Sequence, residues 1–413
     1  MTPGGRVELG LRENAAQFGL LVAVNAFVGA MVGLERSTLP LIGRDDFGLA
    51  SSAAVLSFIV AFGLAKAVTN LGAGALADRL GRRRLLIAGA QAWAWVVAAN
   101  VLLGVNQGLA WSMTVVMKID LVGPRRRGLA LGLNEAAGYG GLALAAAATG
   151  WLAADLAPRD VLVAAGSGIA LLGLLVSVAF VRDTAAHVAL EQERHHDGAE
   201  TAPTLRAAFP EATWRAPALR ACSQAGLVNN LNDALAWGLV PLFLAAHGAS
   251  LGEIGLVAGA YPAVWGVGQI WTGHWSDRVG RKPLIVAGML LQAVALAGLA
   301  VSDGGVGAAL ASAVVLGAGT ALVYPTLIAA ISDAVSPVAR APMVGVYRFW
   351  RDMGYVAGGV IAGFVADALG FGGAIGVVAV LTAASGLWVA VDLPAHGRRR
   401  RAPPMSEPTV LSR

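Results

Sequence analysis

One ten-residue pattern occurs twice in this chain. Residues 74–83 read GALADRLGRR and residues 273–282 read GHWSDRVGRK, so both copies fit the pattern G-x-x-x-D-R-x-G-R-[RK]. The two aspartates, Asp78 and Asp277, are 199 residues apart (277 − 78) in a chain of 413. Each copy lies between long apolar segments. A repeat at this spacing predicts two similar membrane-embedded halves placed around a central site.

The composition also favours a membrane. Hydrophobic residues make up 57% of the chain, charged residues only 13%, and the mean hydropathy is +0.67. Soluble domains carry about twice that charged fraction. Apolar segments of about 20 residues, the length of one membrane span, recur from Ala15 to Val391. The net charge is +5, but the basic residues cluster beside apolar spans, where they orient helices, so we expect no nucleic-acid partner.

Cysteine usage and the N-terminus exclude other classes. The single cysteine, Cys222, excludes an intrachain disulfide, and the sequence has no Cys/His cluster with metal-ligand spacing. We therefore expect no metal site, and the repeated membrane halves favour a transporter over an enzyme with a cofactor. The first apolar stretch follows Arg6 and Arg12 and runs to Pro40 without a convincing cleavage site, so it reads as a retained helix and not as a signal peptide.

Hydropathy predicts two sets of helices. In the first half they are Ala15–Pro40, Leu49–Gly74, Gly128–Ala154 and Val161–Val181, with an unresolved region at Leu85–Leu121. In the second half they are Leu219–Ala246, Leu251–Trp275, Pro283–Val301, Ala308–Asp333, Ala341–Ala368 and Gly372–Val391. The expected organisation is an N-terminus over 1–14, transmembrane halves over 15–181 and 219–391, a polar linker over 182–218 and a basic tail over 392–413.

The charged loops predict an orientation. Basic clusters at residues 79–84, 125–127, 278–282 and 398–401 fall on one side of the predicted spans, and the opposite loops are mixed in sign. The excess of arginine and lysine marks the cytoplasmic side. We therefore expect a multi-pass protein of the cell membrane with both termini in the cytoplasm, which requires an even number of spans.

The first half is shorter than the second. After the repeated motif the offset rises from 199 to 213 residues (333 − 120), and Gly150 and Gly363 keep the offset of 213, so the first half lacks about 14 residues. That length corresponds to about 21 Å of helix, most of one span. Either the third helix is a stub over Leu85–Ala92 with the fourth beginning at Trp93, or two short helices share Leu85–Leu121.

The repeated motif resembles the major facilitator superfamily of secondary transporters, which carry it between the second and third helices of each half. The resemblance covers nearly the whole chain. It implies an all-α membrane protein of two pseudo-symmetric bundles, nominally of twelve helices and here of eleven or twelve. It further implies that the motif loops hold the cytoplasmic side closed and open during the cycle. The implied gating residues are Gly74, Asp78, Arg79, Gly81, Arg82, Arg83, Gly273, Asp277, Arg278, Gly280, Arg281 and Lys282.

A second pair of acids follows the motifs. Asp120 precedes the basic run at 125–127, and Asp333 precedes Arg340. Both are predicted at helix ends on the motif side, within reach of the motif arginines. They are either relay partners of the motif or solvated helix ends.

Ionisable residues inside predicted spans mark a functional cavity, because such groups are costly in a membrane and usually face a cavity. Glu35, Glu135 and Asp233 are the proton-binding candidates, since burial favours a neutral carboxyl group and a nearby arginine favours the charged form. Ion pairing alone would leave them permanently charged. The predicted cavity residues share polar or aromatic character, often at helical spacing: Arg36, Gln107, Trp111, Tyr139, Asn229, Asn230, Trp237, Tyr261, Trp265, Gln269, Tyr324, Arg348, Arg351, Asp352 and Tyr355.

These features predict a carrier of a small organic solute that works by alternating access. The first hypothesis is proton-coupled efflux by a monomer in contact with membrane lipids. One alternative is an importer or facilitator of an organic anion, with Arg36, Arg348 or Arg351 as the anion site. The other is a sensor or structural membrane protein that does not transport.

Overall fold

The computed structural model describes residues 8–76, 92–122, 127–184, 186–187, 203–336 and 339–394. These residues form helices and connecting turns, without a strand among them. The first half contains α1 (Ala15–Arg36), α2 (Leu39–Asp45), α3 (Ser52–Val55), α4 (Ser57–Leu76), α5 (Trp93–Val122), α6 (Arg127–Asp155) and α7 (Pro158–Ala179). After it come α8 (Leu205–Pro210), α9 (Pro217–Ala234), α10 (Val240–Ala246), α11 (Leu251–Val279), α12 (Arg281–Ala300), α13 (Val306–Ala334) and α14 (Arg340–Asp392).

The helices repeat as the two sequence offsets predict. Moved back by 213 residues, α13 covers 93–121 and coincides with α5, which begins at Trp93 and is one continuous helix. Two short helices are therefore excluded over Trp93–Val122. In the part of the chain that the structure describes, α12 has no counterpart in the first half. Residues 85–91 of the expected stub lie outside the described residues.

Two predicted helices are interrupted. The helix expected over Ala15–Pro40 breaks at Ser37 and Thr38, and α2 restarts with a proline in its first turn, where the missing N–H costs nothing. The helix expected over Leu49–Gly74 starts only at Ser52. The reason is a cap, because the Ser51 side chain accepts a hydrogen bond from the backbone N–H of Ala54.

The seventh predicted span, Leu219–Ala246, also departs from a regular α-helix. It contains a π-helical turn over Leu235–Leu239, between α9 and α10. Pro241 has no N–H to bond the carbonyl of Trp237 four residues earlier, which favours the wider turn at this point. The two last predicted helices meet in α14 at Gly370, whose φ of 75° ends one helix and starts the next.

Part of the expected linker is folded against the second half. Residues 205–215 form α8 and a π-helical turn over Glu211–Arg215. Phe209 packs its ring 6.0 Å from Trp350 of α14 and 6.3 Å from Trp214. This stretch therefore buries aromatic surface beside α14 as well as joining the halves.

The outer surface is apolar. At least six of the described helices are long and apolar enough to cross a membrane. The helix α7 exposes Leu171, Leu172, Leu175 and Val178, which face away from the bundle. Exposed apolar surface of this extent suits hydrocarbon and not water.

The two halves meet closely at one end of the bundle. We call the end that holds the repeated motif the motif end, and the other the far end. At the far end a Cβ added to Gly150 of α6 would lie 2.5 Å from the Cα of Gly255 in α11, so only glycine allows this approach. The halves are therefore in close contact at the far end.

Asp367 of α14 completes the closure at the far end. Its carboxylate accepts hydrogen bonds from the Ser51 hydroxyl at 2.5 Å and from the backbone N–H groups of Ser52 at 2.6 Å and Ala53 at 3.3 Å. This set of bonds, the far-end contact, joins the second half to the start of α3 in the first half.

Candidate functional site

A small cavity lies between the two halves, near the middle of the bundle. Its lining from the first half is Lys66, Asn70, Gln107, Trp111, Ser112 and Tyr139, and from the second half Tyr324, Arg348 and Arg351. Six of these nine were predicted cavity residues. Lys66 was expected only as an ionisable residue inside a span, and Asn70 and Ser112 were not predicted, although Lys66 and Asn70 are four residues apart on α4 and so share one helix face.

Asp352 organises the charges beside this cavity. Its side chain is fully buried and accepts hydrogen bonds from Nη2 and Nε of Arg351 at 2.8 and 3.1 Å. Asn70 donates to its other oxygen at 2.5 Å, and Nζ of Lys66 lies 3.4 Å from Oδ1. Asn230 donates to Oδ1 at 3.5 Å. This cluster ties α14 of the second half to α4 of the first.

Arg348 is the lining cation with spare hydrogen-bonding capacity. Its Nη1 donates to the Ser112 hydroxyl over a long 3.4 Å, and its Nε has no partner among the described residues. Arg351, in contrast, is bonded to Asp352 and to the hydroxyl of Tyr324. Lys66, Arg348 and Arg351 thus bring three positive charges to the cavity, and Asp352 neutralises one of them.

Aromatic rings from both halves form a wall of the same cavity. Tyr139 of α6 lies 3.6 Å from Trp265 of α11, measured between ring centroids, and 5.2 Å from Trp111 of α5. Tyr324 of α13 lies 5.2 Å from Trp265. Flat ring surfaces beside cationic groups suit a solute that has both an apolar face and a negative charge.

Glu135 lies beside the aromatic wall in the first half. Its Oε1 accepts hydrogen bonds from the Trp111 indole at 2.9 Å and from Asn134 at 3.0 Å, whereas Oε2 has no partner among the described residues. Nζ of Lys118 donates a hydrogen bond to the side-chain oxygen Oδ1 of Asn134 at 2.6 Å. The pattern search missed Asn134, because a lone asparagine next to a glutamate has no signature.

Asp233 is held by tyrosines in the second half. The hydroxyls of Tyr261 and Tyr355 both donate to its fully buried carboxylate, the second at 3.2 Å, and Trp237 stacks 6.2 Å from Tyr355. The residues predicted to share a helix face with Asp233 do not all contact the same neighbours. Asn229 instead accepts a hydrogen bond from Gln292 of α12 at 3.0 Å, away from the cavity.

Three other candidates lie outside the cavity lining. Gln269 of α11 is buried, and its Nε2 has no partner in the described part of the chain. Glu35 and Arg36 are the last two residues of α1 and lie on the far-end side of the cavity. The distance between Oε1 of Glu35 and Nη2 of Arg36 is 3.9 Å.

The repeated motif is only partly described. Asp78, Arg79, Gly81, Arg82 and Arg83 lie outside the described residues, and Gly74 lies in the last turn of α4. In the second copy, Gly273, Asp277 and the exposed Arg278 lie near the end of α11, and Lys282 lies in the first turn of α12.

The second copy makes one contact that the sequence suggested. Nε of Arg281 lies 2.9 Å from Oδ2 of Asp333, and the same guanidinium donates to Ser276. Gly280 has a φ of 99° between α11 and α12, a conformation that needs glycine. Asp120, the equivalent acid of the first half, accepts a hydrogen bond from Thr184 at 2.8 Å.

Two pseudo-symmetric bundles closed around a charged, aromatic cavity define a membrane carrier of the secondary-transporter type. The family model of the Major Facilitator Superfamily matches residues 15–227 and again 222–412. The chain belongs to this superfamily.

Similar proteins agree with that assignment. An uncharacterized MFS-type transporter of Salmonella typhimurium is 24% identical over 369 residues, covering 82% of this chain and 87% of the relative. A probable 4-methylmuconolactone transporter of Cupriavidus pinatubonensis is 27% identical over 241 residues, 53% of each chain. The crystal structure of a bacterial homologue of the human lysosomal transporter Spinster, inward-facing and unoccupied, has the same fold, with a TM-score of 0.63 at 15% identity over 91% of this chain and 95% of that one.

Proposed function

We propose that this protein carries a small organic anion across the cell membrane by alternating access. The observation that carries the proposal is the charge of the cavity, whose charged lining residues are Lys66, Arg348 and Arg351, with Asp352 paired to Lys66 and Arg351. When the nearby carboxyl groups of Glu135 and Asp233 are protonated, this arrangement leaves a buried excess of positive charge, which is costly unless a negative ligand compensates it. The spare donors of Arg348 offer that ligand a hydrogen-bonded contact.

The aromatic wall supports a solute with a flat apolar part. Trp111, Tyr139 and Tyr324 line the cavity together with the cations, and Trp265 packs against Tyr139 and Tyr324. The relative named for 4-methylmuconolactone supports a small organic solute as the cargo. Between the efflux hypothesis and the organic-anion alternative, the cationic lining favours the anion.

The proposal includes coupling to protons through Glu135 and Asp233. Both are buried carboxylates close to the cavity, and one oxygen of Glu135 has no partner in the described part of the chain. Uptake of a proton here would offset the charge of the anion in an apolar surrounding. The direction of transport, which is efflux in our first hypothesis, then follows from the sign of the gradients and not from the site alone.

The motif end faces the cytoplasm in this proposal, because the basic clusters lie there. The motif loops, with Asp78 and Asp277, would close that side after the anion binds. The far-end contact of Asp367 would open in the same step. We propose a monomer surrounded by lipid as the working unit and no catalytic step.

Flux into proteoliposomes tests the proposal. A panel of labelled organic anions, including benzoate and 4-methylmuconolactone, is offered to the reconstituted protein with a pH gradient of either sign and with none. We expect flux of at least one anion, faster with the gradient, and a loss of gradient-driven accumulation with exchange retained in Glu135→Gln or Asp233→Asn. If anion flux occurs but ignores the gradient, coupling is wrong. If folded protein moves none of the anions, the transport proposal fails and the non-transporting alternative takes its place.

A further inference from the structure

The end of α1 holds a group of buried hydrogen-bond donors without acceptors. Arg36 is fully buried, and Nε, Nη1 and Nη2 of its guanidinium have no hydrogen-bond partner among the described residues. The same is true of the Ser37 hydroxyl and of the indole Nε1 of Trp237. Buried donors are nearly always satisfied in folded proteins, so this group needs a physical explanation.

Aromatic rings surround the guanidinium. The Cζ of Arg36 lies 4.8 Å from the ring centroid of Phe62, 5.5 Å from that of Trp237 and 5.7 Å from that of Phe58. These rings come from both halves of the protein. Contact with ring faces stabilises the positive charge, but it supplies no acceptor to N–H groups that point along the guanidinium plane.

The nearby acids do not use these donors. Oε1 of Glu35 lies 3.9 Å from Nη2, beyond hydrogen-bonding distance, and its Oε2 accepts from Asn100 at 3.1 Å. Asp233 and Tyr355 act on the guanidinium only through the longer-range electrostatic interaction, since both oxygens of Asp233 accept from tyrosines. Among the described residues here, the unused donors on Arg36, Ser37 and Trp237 therefore outnumber the two unused acceptors, Oε1 of Glu35 and Oδ1 of Asn100.

We propose that Arg36 forms a second anion-binding subsite, separate from the central cavity. The ligand chemistry is that of a carboxylate or a halide, which supplies acceptors to several N–H groups at once. Trp237, one wall of the subsite, also lines a mostly apolar cavity with Tyr261 and Val240, which gives the region room to adjust.

The position of Arg36 gives the subsite a place on the transport path. It adjoins the central cavity at the ring of Phe62, since Cζ of Arg36 lies 4.8 Å and Nζ of Lys66 lies 5.6 Å from the same ring centroid. Arg36 is on the side of the far end, where the halves are closed. An anion that leaves the central cavity toward that end meets Arg36 next.

Thermal unfolding of the purified full-length protein tests the subsite directly. Sodium bromide and sodium benzoate are titrated separately into wild type, Arg36→Met and Arg348→Met in the same buffers, so that general salt effects cancel between variants. We expect bromide to raise the Tm of wild type and of Arg348→Met by about 2 °C more than that of Arg36→Met. An equal benefit from benzoate identifies a carboxylate subsite, and a benefit from bromide alone identifies a halide subsite.

Three results would overturn the proposal. The first is an equal rise in Tm of wild type and Arg36→Met with both anions. The second is loss of the Tm rise in both Arg36→Met and Arg348→Met, and the third is no rise in the Tm of the wild type. If Arg36→Met does not fold, bromide-soaked crystals of the wild type replace it, and the absence of an anomalous peak beside the guanidinium is decisive. This experiment measures occupancy and not flux, so it can succeed when the transport proposal fails, and the reverse.

Discussion

Replacement of Asp352 by asparagine tests the charge arrangement on which the cavity depends. Asparagine keeps the shape of the side chain, so Asp352→Asn removes a charge and little else. In the native protein this fully buried carboxylate is 2.8 Å from Nη2 of Arg351 and 3.4 Å from Nζ of Lys66. The variant leaves two buried cations without their shared counter-ion.

The expected loss is large. Removing one partner of a buried ion pair costs about 3–5 kcal/mol, because the remaining charge stays desolvated. In Asp352→Asn the cost falls on Arg351 and Lys66 together, so we place it at the upper part of that range. A second change, Lys66→Met in the same chain, removes one of the two unpaired charges and should restore about 1–3 kcal/mol.

The assay is equilibrium unfolding in detergent, with expression and membrane insertion checked first. Asp392→Asn is the matched control, since Asp392, on the part of α14 that follows Gly370, pairs with Arg220 at 2.5 Å but at the surface of the bundle. It should change stability far less. If Asp352→Asn is as stable as Asp392→Asn, or if Lys66→Met adds to the damage of Asp352→Asn, the reasoning about shared buried charge is wrong.

Three further predictions concern closure and length. Asp367→Asn should weaken the far-end contact and speed the labelling of Ala53→Cys by an impermeant maleimide in a Cys222→Ala background. Asp303→Asn is the control and should not change the rate, since Asp303 lies at the same end but accepts its hydrogen bond from the backbone N–H of Gly305 in its own loop; equal labelling rates in the two variants would rule the far-end contact out as a closure element. Gly150→Leu should stop flux because its side chain would meet Gly255, and Gly140→Leu on the same helix, with open space beside it, should be tolerated, so similar flux in the two refutes the close-packing argument. Insertion of about 14 apolar residues after Ala92 should raise the yield of monodisperse protein by completing a third span, and an unchanged or lower yield would contradict the missing-helix interpretation.

Much of the fold could be predicted because the spacing between the two copies of the repeat gives the expected position of each helix in one half from its counterpart in the other. The two offsets, 199 and 213, placed the missing residues between Arg84 and Asp120, and α5 begins within that stretch at Trp93, as one of the two expected alternatives has it. The interruptions were harder. The break at Ser37, the start at Ser52 and the π-helical turn at Leu235–Leu239 each depend on one cap or one proline acting on a few backbone bonds, which a hydropathy window averages away.

The site was predictable where ionisable residues stand inside a predicted span. Arg348 and Arg351 were found in this way and line the cavity. Asn70 and Ser112 were not, because polar uncharged residues are common in membrane helices and acquire meaning only through what they contact. Asn229 shows the converse, since its spacing from Asp233 suggested a shared face, yet its partner is Gln292 of another helix.

The most direct test of the account is the affinity of the central cavity for the organic anion that gives the fastest flux in the panel. Isothermal titration calorimetry would compare wild type with Arg348→Met, which removes the cation that has spare donors. A hydrogen bond to a charged group contributes about 1.5–3 kcal/mol, so we predict binding weaker by about 10- to 100-fold in the variant. Unchanged affinity in a folded Arg348→Met protein would contradict the assignment of this cavity as an anion site.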